Sequence, residues 1–286
     1  MRIANVAGRV SLVIEGAVVD VEMASGGRFG PDSGSVFAHW AELRRWAESY
    51  KGPVTDVWDE SRLQAPVGRP GQIFAIGLNY ADHAAESDFA PPADPVVFTK
   101  FASSLTGPRA VVRLPADTVD WEAELVVVIG ASARNVPERK AWDVVAGLTV
   151  GQDLSERAMQ HRGPAPQFGL AKSFPGFSPV GPVLVTPDEL PDRDDLAIGC
   201  AVDGETLQSA RTSQMIFPVP ELIARLSAIL PLAPGDVIFT GTPSGVGAGR
   251  KPPRYLRAGQ RLRTWVEGIG EIEQEFAAAD GDEEFR

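Results

Sequence analysis

Val119-Asp120-Trp121-Glu122-Ala123-Glu124-Leu125-Val126-Val127-Val128-Ile129 is the segment on which the reading of this chain turns. Its last five residues are consecutive apolar side chains, the mark of a strand buried on both faces. On a strand, residues two apart share a face, so Glu122 and Glu124 are expected to converge. Asp120 joins them if the strand reaches that far. Two carboxylates at the mouth of a buried strand repel unless a cation or a proton sits between them. The other reading of such a pair is a solvent-facing strand edge.

A third acid favours the cation. Val144-Val145-Ala146-Gly147-Leu148-Thr149-Val150 leads directly into Gly151-Gln152-Asp153, which places Asp153 where a second apolar segment ends. Three oxygen anions without cysteine fit a hard ion, Mg²⁺ or Mn²⁺, with Ca²⁺ as a non-native occupant. An octahedral ion on three protein ligands keeps room for a water and a bidentate 2-oxo acid. Three carboxylates and a dication still leave a net negative charge, so an anionic substrate needs cations nearby. Lys172, inside the largely apolar Phe168–Phe174 stretch, either snorkels to the surface or is paired. Arg157 lies four residues past Asp153 and reaches the same site if a helical turn follows.

Working outward, the sequence reads as an α+β, mainly β protein. Arg9–Met23 has the pattern of a hairpin turning near Glu15-Gly16, and Phe37–Tyr50 has helical spacing with Trp40 and Trp46 in the core. Gln64–Gly71, with Pro66 and Pro70, reads as a linker, dividing a small N-terminal domain (1–68) from a catalytic domain (69–286). Short β-rich runs follow at Ile73–Ile76, Val96–Thr99, Leu125–Ile129, Val183–Val185, Ala197–Val202 and Val237–Thr240. Helices are expected at Glu138–Ala146 and at Pro220–Leu230, the second burying Leu222, Ile223, Leu226, Ile229 and Leu230. Strands that outnumber helices without regular alternation argue against a doubly wound sheet.

Composition narrows the function. With 286 residues, 44% hydrophobic and 23% charged, the chain is long enough for a sizeable core. A formal charge of −11 argues against nucleic acid. One cysteine, Cys200, excludes a disulfide framework, and His39, His83 and His161 are too few for a multi-histidine zinc site. The opening MRIANVAGRV lacks a signal peptide's apolar core, and no apolar run approaches the roughly 20 residues of a membrane span. A cytoplasmic protein without membrane or nucleic-acid partners is expected.

Two further segments carry chemistry. In Gly77-Leu78-Asn79-Tyr80-Ala81-Asp82-His83-Ala84-Ala85-Glu86, Asn79 has the type of an N-cap. His83 and Glu86 fall on one helical face, where the carboxylate fixes the imidazole tautomer that a general base needs. An ordinary surface pair is the alternative. Phe89–Pro95, rich in proline, reads as a lid hinge. Phe239-Thr240-Gly241-Thr242-Pro243-Ser244-Gly245-Val246-Gly247 is a strand entering a glycine-rich loop, either an anion cradle or a tight turn. It lacks a P-loop ending.

Taken together, IGLNYADHAAES, DWEAELVVVIG, GQDLSERAMQ, FGLAKSFPGFSPVGP, RTSQMIFPVPELIARLS and LAPGDVIFTGTPSGVG resemble the fumarylacetoacetate hydrolase superfamily in its acylpyruvase and 2-hydroxyhepta-2,4-diene-1,7-dioate isomerase-like branch. Six motifs in order from about Gln72 to the end outweigh the surface readings of each alone. The resemblance implies a mixed β-roll around the metal, a small N-terminal domain and a homodimer. It implies Glu122, Glu124 and Asp153 as metal ligands, and His83, Glu86 and Lys172 as catalytic residues. Lys100, Arg157, Gln160 and Thr242 match positions that contact substrate or organise the site. Gln152 stands where an asparagine is common and Phe101 where a proline is common, departures expected to alter pocket shape.

The expected reaction is hydrolysis of a C–C bond in an acylpyruvate through a pyruvate enolate. Decarboxylation of oxaloacetate and isomerisation of a 2-hydroxy-diene dioate are the alternatives, and a non-catalytic metal-stabilised binding protein is a remote one. Met159–Gln167 and the segment after Glu86 are expected to shape the acyl pocket.

Overall fold

The computed structural model describes residues 1–86 and 90–279. The chain is mainly β with mixed sheets, as the sequence predicts. Among the described residues a twelve-stranded sheet runs through Ala17–Asp20, Arg9–Ile14, Arg2–Val6, Ser178–Val185, Val145–Gln152, Ala123–Ile129, Val237–Phe239, Ile73–Gly77 and Val96–Thr99 in spatial order. Most neighbours are antiparallel, but Val237–Phe239 lies parallel to Ile73–Gly77. A five-stranded sheet, Glu205–Arg211, Ala197–Val202, Arg261–Val266, Gly270–Ala277 and Arg109–Arg113, packs across its centre.

The Ala123–Ile129 strand is buried at every position. Ala123, Leu125, Val127 and Ile129 face the core shared with the smaller sheet. Val126 and Val128 face the other way, into a second core that includes Phe37, Trp40 and Leu43 of the N-terminal helices. Each fully buried aliphatic side chain contributes ~1.5–3 kcal/mol, and here both faces contribute. The strand is therefore anchored firmly at the end that carries the acids. Arg2–Val6 pairs with Ser178–Val185, so the N-terminal strands extend the large sheet and their helices complete its second core.

The hairpin turn is where expected, with Glu15 at φ 48° and Gly16 at φ 80°, the positive pair that suits a two-residue turn. Other expectations need correction. Glu138–Val144 is a 3₁₀ helix, and the chain enters a strand at Val145, because the run that follows is buried on two sheet faces. The Val219–Ile229 helix buries Leu222, Ile223 and Leu226, but Ile229, in its last turn, is 77% exposed. Asn79 caps nothing: its amide donates to the Phe217 and Thr240 carbonyls and accepts from the Phe217 N–H, tying three segments together. No helix is long and apolar enough to cross a membrane, among the described residues.

Candidate active site

Glu122, Glu124 and Asp153 come together where two buried strands end. Each offers a carboxylate oxygen, and the three lie within 4.8 Å of one another. Glu124 is the second residue of its strand, and Glu122 just precedes it. Asp153 follows the Val145–Gln152 strand, and its N–H donates to the Glu122 carbonyl at 3.0 Å. Two buried glutamines pin this junction: Gln152 accepts from the Glu122 N–H and Gln208 from the Ala123 N–H. The Gly241 N–H donates to Glu124 at 2.7 Å. Gly241 has φ 98°, and a Cβ there would fall 2.6 Å from Asn79 Cβ, so only glycine brings that amide in.

Three buried cations face the acids. Lys172 Nζ donates to Glu122 at 2.6 Å and to Asp153 at 2.8 Å. It is paired, not snorkelling. Lys100 Nζ donates to Asp153, the Lys172 carbonyl and the Phe177 carbonyl. Arg157 opens the short Arg157–Gln160 helix and donates to Asp120, Glu122 and Gln160. Burial opposes the charge on Glu122, but Lys172 and Arg157 pull it down to about 2. Glu124 is driven the other way: burial, then Asp153 and Glu122, push it well above the usual carboxylate range. Counting Asp120, four buried acids meet three buried cations, so one acid lacks a counter-charge.

This donor set fits a hard divalent cation. It is all carboxylate oxygen, closely spaced, and short of one positive charge. A dication would turn the whole set positive, the sign an anionic substrate requires.

The dyad lies beside this cluster. His83 Nδ1 is 2.9 Å from Glu86 Oε1 on the Ala81–Glu86 helix. The Gly245 N–H donates to both Glu86 oxygens, at 3.1 and 2.9 Å. The glycine loop thus cradles a carboxylate of the protein itself. A cavity of about 640 Å³ has Glu122, Lys172, Arg157, Gln160, His83, Glu86 and Thr242 on its wall. Its apolar wall includes Ile76, Leu78, Val96, Phe98, Phe168 and Val246.

The structure separates the expected residues by position. Lys100 does not line the cavity and stands behind Asp153 as its charge partner. Thr242 reaches the wall, but its hydroxyl donates to the Ala123 carbonyl and accepts from Gln208. Gln160, His161 and Pro166 place the Met159–Gln167 segment on the wall. Of the expected lid hinge, Ala90 and Pro92 line the cavity, while Phe89 lies outside the described residues. Neither residue that departs from the family pattern lines this cavity, though Gln152 holds the backbone of Glu122, which does. Gln152 points into the smaller sheet, donating to Thr264, and Phe101 is 51% exposed on the outer surface. The clamps Gln152 and Gln208 carry no signal of their own in the sequence, since buried glutamines are uncommon.

The family model for the fumarylacetoacetate (FAA) hydrolase C-terminal region matches residues 72–277. An oxaloacetate tautomerase, mitochondrial fahd2 of Xenopus laevis, is 45% identical over 73% of this chain and 66% of its own. The structure of an HpcE candidate from Mycobacterium smegmatis superposes with a TM-score of 0.95 at 56% identity, covering 98% of this chain and 100% of that one. Maleylpyruvate hydrolase from Sphingobium sp. SYK-6, in complex with manganese(II) and pyruvate, gives 0.81 at 29% identity over 98% of this chain and 100% of that one. With its carboxylate cluster, its mixed β architecture and these matches, the chain belongs to the fumarylacetoacetate hydrolase superfamily.

Proposed function

We propose that this protein is a Mg²⁺- or Mn²⁺-dependent hydrolase that cleaves a C–C bond of an acylpyruvate-type 2,4-dioxo acid. The observation that carries the reading is the His83–Glu86 dyad opening on the same cavity as Glu122 and Lys172. Glu122, Glu124 and Asp153 would hold the cation, which supplies the positive charge that draws in the 2-oxo acid and favours its enolate.

The residues then divide the work. Glu86 accepts from Nδ1 of His83, which leaves Nε2 as the basic atom. Nε2 takes a proton from water while the water oxygen bonds to the distal carbonyl carbon. The carbonyl's electron pair moves to its oxygen, which Gln160 receives. When the adduct collapses, the C–C bond breaks and its electron pair stays on the pyruvate methylene as the enolate. The Lys172 ammonium stabilises that charge. The proton on His83 returns to the methylene, giving pyruvate and a carboxylic acid. The Mn²⁺–pyruvate complex of the maleylpyruvate hydrolase relative supports a product of this kind here.

A second reading rests on the oxaloacetate tautomerase relative. In it His83 moves a proton between carbon and enol oxygen, and no water attacks. A screen of acetylpyruvate, fumarylpyruvate, oxaloacetate and a 2-hydroxy-diene dioate with Mg²⁺ and Mn²⁺ separates the readings. Pyruvate release from an acylpyruvate is expected. Interconversion of oxaloacetate enol and keto forms without such release would replace the hydrolase with the tautomerase. The homodimer implied by the resemblance belongs to the same proposal, with sedimentation as its test.

A further inference from the structure

Asp120 touches neither the cavity nor the three clustered carboxylates' oxygens, yet four donors converge on it. Its Oδ1 accepts from the Trp121 N–H at 2.8 Å and the Gly247 N–H at 2.7 Å. Its Oδ2 accepts from the Ala248 N–H and from Arg157 Nε, both at 2.9 Å. The residue is fully buried. A merely structural carboxylate would need no link to the site. This one has two.

The first link runs through Arg157 to Gln160. A guanidinium only donates, so the Gln160 atom 2.8 Å from Arg157 must be the amide oxygen. With that oxygen engaged, Gln160 offers the cavity its NH₂ donors. A carboxylate, a guanidinium and an amide thus form a directional chain ending in donors where an oxyanion would form. The second link runs along the glycine loop. Asp120 holds Gly247 and Ala248, and two residues upstream the Gly245 N–H holds Glu86.

We infer that Asp120 is a positioning residue that sets both the oxyanion donor Gln160 and the general-base dyad from one buried carboxylate. The inference rests on the hydrolase reading and names how its acyl end is organised. Asp120→Asn keeps the shape but replaces one acceptor with an NH₂ group, which opposes either the Gly247 and Trp121 amides or the Ala248 amide and Arg157.

The test compares ligands for the two ends of the cavity, using the full chain loaded with Mn²⁺. One probe is pyruvate. The other is a phosphinate in which tetrahedral phosphorus replaces the distal carbonyl of an acylpyruvate. In Asp120→Asn, phosphinate affinity should fall ~100-fold, the scale of a lost oxyanion donor, while pyruvate and Mn²⁺ affinities stay within about threefold of the parent. In the Asp120→Asn/Gln160→Ala double variant the loss should match that of Gln160→Ala alone within about threefold, because one pathway has been cut twice. Acylpyruvate turnover should show the loss in kcat and little change in KM. If Asp120→Asn does not fold, Arg157→Lys cuts the same chain at its middle and should give the same fall in the phosphinate-to-pyruvate affinity ratio, with Mn²⁺ affinity moving as well because Arg157 also donates to Glu122. Equal losses for phosphinate, pyruvate and Mn²⁺, or full additivity with Gln160→Ala, would overturn the inference. If the parent protein cleaves no acylpyruvate, the hydrolase reading fails, and the phosphinate-to-pyruvate ratio still decides the role of Asp120.

Discussion

Beneath the cavity, whose wall only Glu122 of the three acids reaches, a floor of Glu122, Glu124 and Asp153 sits at the ends of two fully buried strands and faces three buried cations. At the cavity's rim, His83 and Glu86 rest on a six-residue helix and on two neighbouring amides of the glycine loop, those of Gly245 and Val246. Two acids of the floor are held by charges from several elements: Glu122 receives Lys172 and Arg157, and Asp153 receives Lys100 and Lys172. Glu86 is held by a single segment beyond its own helix. The floor is thus set by the core of the fold and the rim by loop backbone. In the proposed function the floor serves the feature common to 2-oxo acids, and the rim the choice of reaction.

The largest effect should come from the floor. Glu124→Ala removes a ligand, and Mn²⁺ affinity measured by calorimetry should fall at least ~100-fold, with turnover lost alongside it. At the rim, His83→Ala should lower kcat for acylpyruvate hydrolysis by ~10²–10⁴-fold and leave Mn²⁺ affinity unchanged. Retained hydrolysis in that variant would break the contrast between the two regions, because the water would then be activated elsewhere.

Lys172→Met sharpens the comparison through opposite signs. Removing a cation from beside Glu122 and Asp153 leaves more negative charge for the metal, so Mn²⁺ should bind more tightly. Pyruvate, which loses its ammonium partner, should bind more weakly. Each change is expected to be ~10-fold, or about 1.4 kcal/mol. Changes of the same sign would mean that the lysine only supports the fold.

Acidity gives a subtler test. Burial and its acidic neighbours raise Glu124 in the metal-free protein, so it holds a proton well above the usual carboxylate range. Metal binding must release that proton. Affinity should therefore strengthen as pH rises toward the raised value and level off above it, by at most ~10-fold per pH unit for one proton. Calorimetry in buffers of different ionisation enthalpy would count the proton released. The smallest effect belongs to Phe101→Pro: half-exposed and off the cavity wall, this residue should leave kcat/KM within about twofold.

Which parts were legible in the sequence follows from the same contrast. Leu125–Ile129 declares its strand because burial on both faces demands uninterrupted apolar residues; Val144–Val150 shows only as an apolar segment whose first residues read as the end of a helix, yet the acids at the ends of both stand out against that background. The smaller sheet is quieter. Arg261 pairs with Glu275 and Arg263 with Glu271 on its outer face, so charges alternate through Arg261–Val266 and Gly270–Ala277 and mask strands whose other face is buried. The partners of Lys172 lie 50 and 19 residues away, and those of Asp120 up to 128. Local spacing cannot show such contacts. Asp120 entered the sequence reading only as a neighbour on the same strand; its bonds to Arg157 and the glycine loop arise from the fold.

In the proposed function the three carboxylates hold a divalent cation to which a 2-oxo acid is drawn. The most direct test of that role is Mn²⁺ titration of metal-stripped protein followed by electron paramagnetic resonance, with and without oxalate. One bound Mn²⁺ per chain is expected, with a spectrum altered by oxalate and loss of both in the Glu122→Gln/Glu124→Gln/Asp153→Asn variant. Binding of Mn²⁺ that survives in that variant, or a spectrum indifferent to oxalate, would contradict that role.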